Sequence, residues 1–195
     1  FKQEYEADFT TFEGQIYETF DEKKHVRSLD DMDWATDPYR YETIMGIDPG
    51  YKDHTGGVVL KYDTDEDMFY AVWDYQVNEA VTSVHAAAFG STYDKYDVDM
   101  VFCDSAAAQF RQDMAVDYDL PSTKAKKSIL DGIAYCQSLI DNDKLIVDPS
   151  CEHLITMLVN YRWDPNEALV KPKPKHDMYS HVADAFRYAL YTYRR

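Results

Sequence analysis

The stretch Ile44-Met45-Gly46-Ile47-Asp48-Pro49-Gly50 decides how the rest of the chain is read. Apolar residues run up to a single carboxylate, and Pro49 and Gly50 end the segment at once. Proline has no amide to donate and glycine weakens a strand, so together they close one. Taken with Tyr41, Glu42 and Thr43, the run is a buried strand with Asp48 at its mouth.

Outward from this strand, "GGVVLKY" reads as a second strand, "DTDED" as a turn and "MFYAVWDYQ" as a third strand, which together make an antiparallel meander. Asp63, Asp65 and Asp67 alternate in that turn, but it lacks the glycine and closing glutamate of an EF-hand loop, so we read a solvated hairpin turn. A helix follows near Glu79 to Tyr93, and then "VDMVFCDSA", a buried strand ending at Asp104. "STKAKKSILDGIAYCQSLI" reads as an amphipathic helix with Ile129, Ile133, Cys136 and Ile140 on one stripe. "KLIV" is a short strand, and Asp148-Pro149-Ser150 starts a helix through "CEHLITMLVNY". "YRWDPNEALVKPKPK" reads as a hairpin with a Pro-Asn turn and a basic extension, and "DMYSHVADAFRYALYTYR" as a closing helix. This order predicts an α/β fold. A mixed central sheet, built from the meander plus parallel strands, is flanked by helices, with an extra hairpin before the last helix. Residues 1–40 read as a lead-in with one short hairpin or helix, and residues 41–195 as the domain.

Composition bounds the function. The 195 residues are 45% hydrophobic and include 17 Tyr and 9 Phe, enough for a real core. Cys103, Cys136 and Cys151 are scattered and read as reduced, buried thiols. No apolar run approaches the ~20 residues of a membrane helix, and no phosphate-binding G-x-x-x-x-G-K-[ST] loop is present. Twenty basic residues against 36 acidic ones leave a formal charge of −16, which taken alone argues against a polyanionic partner. The chain begins at Phe1, and we expect it to be part of something longer.

Two strands end alike, one at Asp48 and the other at Asp104, each followed by small or turn-forming residues. If they are parallel neighbours, both carboxylates meet at one sheet edge. The closing helix adds His181 and Asp184, which are three apart and share a face. Converging carboxylates repel, and the remedy is either a raised pKa or a divalent metal ion. Oxygen donors suit Mg²⁺ or Mn²⁺, and two such ions ~3.5–4 Å apart can cleave a phosphodiester. His181 could ligate the second ion or shuttle a proton. A serine nucleophile at Ser105 or Ser180 has no G-x-S-x-G elbow to support it.

"GIDPG", Thr55-Gly56-Gly57, "CDSA", the lysine-bearing segment leading into "GI", "YRW" and "HVADAFRY" resemble motifs of the ribonuclease H-like metallonucleases. The fit is closest to the nuclease domain of the large terminase subunit of tailed bacteriophages, over about Glu42 to Tyr193. The resemblance implies metal ligands at Asp48, Asp104 and Asp184, with His181 as accessory, and a Mg²⁺- or Mn²⁺-dependent endonuclease that cuts concatemeric viral DNA. It also implies an N-terminal ATPase domain in the full-length chain, a small terminase subunit and a procapsid portal as partners, and the host-cell cytoplasm as location. His176-Asp177 lies just upstream and competes for the accessory role.

A DNA cleaver must hold phosphate. Lys124, Lys126 and Lys127 precede a helix, and Lys171, Lys173 and Lys175 alternate with proline; both clusters are candidates for double-stranded DNA contact. Two rival readings are a RuvC-type junction resolvase, whose second acid is typically Glu where this chain has Asp104, and an actin- or sugar-kinase-like nucleotide-binding module. The latter needs a second glycine-rich loop, which is absent, and roughly twice this length.

Overall fold

The computed structural model describes residues 14–37, 39–50, 53–166 and 172–194. After a four-residue helix, α1 (Glu22–His25), come β1 (Tyr41–Asp48), β2 (Thr55–Asp63), β3 (Met68–Val77), α2 (Thr82–Tyr96) and β4 (Met100–Cys103). They are followed by α3 (Ala108–Asp117), β5 (Thr123–Lys124), α4 (Ile129–Asp141), β6 (Leu145–Val147), α5 (Glu152–Asn160) and α6 (Ser180–Tyr193). The sheet order is β5-β4-β1-β2-β3-β6. β1, β2 and β3 pair antiparallel, while β4 lies parallel to β1 and β6 parallel to β3. This is the mixed sheet expected from the alternation of strand and helix.

The period-2 alternation of a strand explains the layers. Ile44, Val58, Leu60, Phe69, Ala71 and Phe102 face a core that includes Ile133, Leu158 and Phe186 of α4, α5 and α6. Met45, Ile47, Val59, Tyr70, Val101 and Cys103 face the opposite core, with Phe89 of α2 and Met114 of α3. Residues the sequence assigns to the lead-in enter the first core: Ile16, Tyr17 and Phe20 are buried there. Two glycines let α6 lie directly on the sheet. A Cβ on Gly46 would collide with the Ala185 carbonyl, and one on Gly56 with the His181 carbonyl.

Several elements differ from expectation. The helix expected from residue 122 begins at Ile129. Before it, Thr123 and Lys124 pair with Phe102 and Cys103 as edge strand β5, and the Ala125 amide donates to the Cys103 carbonyl. Hydrogen bonding to an open sheet edge outweighs local helical preference there. Ile129 is consequently exposed, whereas Ile133, Cys136, Leu139 and Ile140 are buried. The helix expected at Glu79 to Tyr93 runs from Thr82 to Tyr96. α3 was not anticipated, because Met114 is its one buried residue and leaves almost no periodic signal. The hairpin before α6 has its arms in place: the Asp164 amide donates to Lys173 and the Lys175 amide to Arg162. Its tip, with Lys171, lies outside the described residues. All three cysteines are free and buried. No helix among the described residues is long and apolar enough to cross a membrane.

The turn between β2 and β3 is only partly solvated. Asp65, Glu66 and Asp67 are exposed, but Asp63 is buried. Arg40 grips it with Nε at 2.9 Å and Nη2 at 2.6 Å, and the Asp65 and Glu66 amides donate to it as well. Burial pushes this carboxyl up, but the Arg40 and amide donors outweigh burial and hold it below the usual carboxylate range. A depressed folded-state pKa contributes stability above the unfolded pKa of about 3.9, and that stability is lost as pH falls through the folded value. Arg40→Ala is therefore expected to lower the urea midpoint at pH 7, with the difference from wild type shrinking below pH 4. An unchanged midpoint at pH 7 would show that the pair does not support the turn.

Candidate active site

β1 and β4 run parallel with Ile47 opposite Cys103, and the Asp104 amide donates to the Ile47 carbonyl at 3.2 Å. Asp48 and Asp104 thus leave adjacent strand ends side by side. Their parity settles which way they face. Asp48 continues the face of Ile44 and Gly46, and Asp104 continues that of Phe102, so both project towards α6. α6 crosses that face at its first turns, where His181 and Asp184 lie. The expected strand-end pair and helix thus converge on one edge of the sheet.

Each carboxylate has a basic partner of its own. His181 Nδ1 lies 2.7 Å from Asp48 Oδ2. Lys127 Nζ lies 2.6 Å from Asp104 Oδ1. Arg187 Nη2 donates to Asp184 Oδ1 at 2.7 Å, and its other terminal nitrogen donates to the Ser128 carbonyl. Burial pushes the Asp48 carboxyl up to about 6. The His181 hydrogen bond opposes this rise, and the charges of Asp184 and Asp104 add to it. Burial would lower His181, but its hydrogen bond to Asp48 and the surrounding carboxylates overcome that and leave it raised. The site is therefore short of positive charge, and protein cations supply what is there. The ligand atoms of Asp48, Asp104 and Asp184 do not all close to within 4.8 Å of one another, as those of Asp53, His176 and His181 do.

Can these residues hold a metal ion? The donor set is hard carboxylate oxygen, suited to Mg²⁺ or Mn²⁺. Asp48 and Asp104 at neighbouring strand ends, with Asp184 on α6 near them, concentrate negative charge that a divalent cation would relieve. His181 Nε2 is buried without a hydrogen-bond partner. The residues fit. Ser180, by contrast, is engaged structurally: its hydroxyl accepts from the Asp177 amide and donates to the Lys175 carbonyl.

The lysines do not all border this edge: the Lys126 amide donates to Thr192, near the far end of α6. Lys127 touches Asp104, Lys124 is exposed on β5, and Lys126 has its ammonium 5.9 Å from the Tyr191 ring centroid. Lys173 and Lys175 are exposed on the second hairpin arm. Beside Asp48 and Asp104 a cleft of about 1090 Å³ opens between the starts of α2 and α3, bordered by Pro49, Gly50, His85, Ala106 and Phe110. His85 Nδ1 meets the Tyr75 hydroxyl at 2.8 Å and Nε2 meets Thr55 Oγ1 at 3.2 Å, while the Gly50 amide donates to the same Thr55 oxygen. This chain steadies the turn after Asp48. Sequence reasoning gave no role to Arg187, Asp53, His85 or Thr55 in the site. Only the spacing of Asp184 and Arg187 on one helix face carried a local signal.

Comparison with known proteins follows the same line. The family model for the terminase RNaseH-like domain matches residues 45–192. The large terminase subunit of Escherichia phage T5 is 48% identical over 199 aligned residues, which take in 100% of this chain and 45% of that protein. The chain thus spans under half of that relative's length. The nuclease domain of the P22 large terminase superposes with a TM-score of 0.73 over 95% of this chain and 94% of that one, at 19% identity. The large terminase nuclease domain of bacteriophage SPP1, with bound Mn, gives 0.61 over 85% of this chain and 95% of that one, at 20% identity. At those identities the two structures speak to the fold, which is ribonuclease H-like.

Proposed function

The chain belongs to the terminase RNaseH-like domain family, and from that premise we propose that it is the metal-dependent endonuclease domain of a phage DNA-packaging terminase. Its substrate is concatemeric double-stranded viral DNA. The observation that carries the reading is the convergence of Asp48, Asp104, Asp184 and His181 on one sheet edge, each acid held by a basic side chain. Bound Mn in the SPP1 domain supports Mn²⁺ or Mg²⁺ here, and we propose two ions. Residues 41–195 carry the sheet and the site of the nuclease domain, and Ile16, Tyr17 and Phe20 of the preceding segment pack into its core. The segment before it leads from an N-terminal ATPase domain, and the small terminase subunit and the portal of a procapsid in the host cytoplasm are its partners.

Asp48, Asp104 and Asp184 would hold the ions, with His181 as accessory. Bound there, a divalent ion supplies Lewis-acid stabilisation of charge on the scissile phosphate and activates water. The chain's own residues do the rest. β1 and β4 fix two carboxylates on rigid strands, which position them better than loops would. His181 holds or passes a proton at the Asp48 carboxylate. Lys127, paired with Asp104, would hold a phosphate oxygen if Asp104 were a metal ligand, and Lys124, Lys126, Lys171, Lys173 and Lys175 are the candidate contacts to the DNA backbone. With a formal charge of −16, the isolated domain binds DNA weakly and without sequence preference.

The test is digestion of supercoiled plasmid with Mn²⁺, Mg²⁺ or chelator. Nicking in Mn²⁺ that chelator stops supports the reading, and no metal-dependent loss of supercoiled DNA overturns it. Lys127 gives a second check. A partly exposed ion pair is worth ~0.2–1 kcal/mol, so Lys127→Met should tighten Mn²⁺ binding about 1.4- to fivefold by calorimetric titration. Unchanged or weaker Mn²⁺ binding would remove Lys127 from competition for Asp104.

A further inference from the structure

Among the described residues, one group has the chemistry of a different metal site. One ligand atom from each of Asp53, His176 and His181 lies within 4.8 Å of the others. Asp53 comes from the segment between β1 and β2, His176 from the segment before α6, and His181 from the first turn of α6. His176 Nε2 is 3.8 Å from Asp53 Oδ2, and its ring stands at 74° to that of His181 with centroids 5.9 Å apart. Among these residues Asp53 and His176 are exposed, so both can move by the small distance an ion requires.

His181 supplies the independent observation. Its Nδ1 is taken by Asp48 at 2.7 Å, and its Nε2 is buried with no hydrogen-bond partner. An unsatisfied buried polar atom costs ~1–3 kcal/mol. A histidine that gives one ring nitrogen to a carboxylate and keeps the other open has the arrangement typical of metal-ligating imidazoles. The His176–Asp53 approach alone would be a solvent-exposed pair worth little, and it would leave that nitrogen unexplained.

We propose that Asp53, His176 and His181 form a second metal site, for a divalent transition ion such as Zn²⁺, Mn²⁺ or Co²⁺ in preference to Mg²⁺. Two imidazoles and one carboxylate are borderline donors that favour these ions, whereas Mg²⁺ prefers oxygen. Metal–ligand bonds of about 2.0–2.2 Å put ligand atoms roughly 3–3.5 Å apart, so Asp53 and His176, now 3.8 Å apart, close by roughly 0.3–0.8 Å on binding. An ion here ties the segment after β1 to the segment before α6, at the rim of the carboxylate cluster, through a His181 shared with Asp48. The inference goes beyond the nuclease reading, because it needs neither DNA nor cleavage.

The test is Zn²⁺ titration of the domain labelled with ¹⁵N-histidine, in excess Mg²⁺ to cover the carboxylates, with the ring nitrogens followed by NMR. The chain has six histidines, of which His25 and His85 are buried and serve as internal references. One equivalent of Zn²⁺ is expected to shift His176 and His181 together. His176→Gln and Asp53→Asn, both at exposed positions, are each expected to weaken Zn²⁺ binding about tenfold or more. Asp104→Asn should leave that binding in place, since it alters only the carboxylate cluster. A shift of His181 without His176, an affinity unchanged in His176→Gln, or no histidine shift at millimolar Zn²⁺ overturns the site. Failure of the nuclease reading is a separate result, read from plasmid nicking by the wild-type domain.

Discussion

Asp48→Asn is expected to lower Mn²⁺-dependent plasmid nicking by at least about 10²-fold while making the metal-free domain more stable at pH 8. Residues that only orient metal ligands already change affinity or activity about 10- to 100-fold, so losing a proposed ligand should do no less. The stability gain follows from the same burial. The folded-state pKa of Asp48 is raised to about 6 by burial, with the charges of Asp184 and Asp104 adding to the rise, against an unfolded value of about 3.9. A raised folded-state pKa gives stability that is full below the unfolded pKa and lost as pH climbs through the folded one. His181, also raised, changes stability in the same direction. The metal-free wild type should therefore weaken as pH rises from about 4 to 8, and Asn at position 48 should remove much of that slope. Thermal melts in chelator across this range check it. A variant that loses both activity and stability would show Asp48 to be a structural acid.

Gly46→Ala is expected to cost about 3 kcal/mol, at the upper end for overpacking, and Gly46→Val to leave little folded protein. A Cβ at Gly46 meets the Ala185 carbonyl and the Ala189 Cβ, neither of which is the loose end of a side chain. α6 must then lift from β1, carrying His181 and Asp184 away from Asp48. Gly90, within α2, is the control. A Cβ there meets nothing within 4 Å, so Gly90→Ala should be neutral or stabilise by up to about 1 kcal/mol. Urea unfolding of the three variants separates a packing requirement from a general glycine effect. Equal stabilities for Gly46→Ala and Gly90→Ala would mean that α6 does not press on β1 as described.

The meander and its two acidic strand ends could be read from the chain because strands buried on both faces appear as short, continuous apolar runs closed by turn-forming residues. The two endings also put Asp48 and Asp104 at one sheet edge, given parallel neighbours; that they share a face follows from the register of β1 and β4. What stayed hidden has physical reasons. α3 is mostly solvated and buries only Met114, so its pattern is nearly flat. β5 is two residues held by pairing with β4, an interaction that sequence-local preference does not encode. The Lys127–Asp104 pairing and the meeting of Asp53, His176 and His181 were unreadable for the same reason. Lys127 read as a phosphate contact until the turn before α4 brought its ammonium to Asp104, and Asp53 and His176 acquire meaning only when two distant segments meet at His181. The buried Asp63 was concealed in an acidic turn because its partner, Arg40, stands 23 residues earlier.

The central claim is that Asp48, Asp104 and Asp184 together hold a divalent ion. Anomalous scattering from crystals of the domain soaked in Mn²⁺ tests it directly. The expected result is a Mn²⁺ peak ligated by carboxylate oxygens of all three residues, with Lys127 withdrawn from Asp104. Mn²⁺ bound only elsewhere, with the Lys127–Asp104 and Arg187–Asp184 pairs intact, would contradict it.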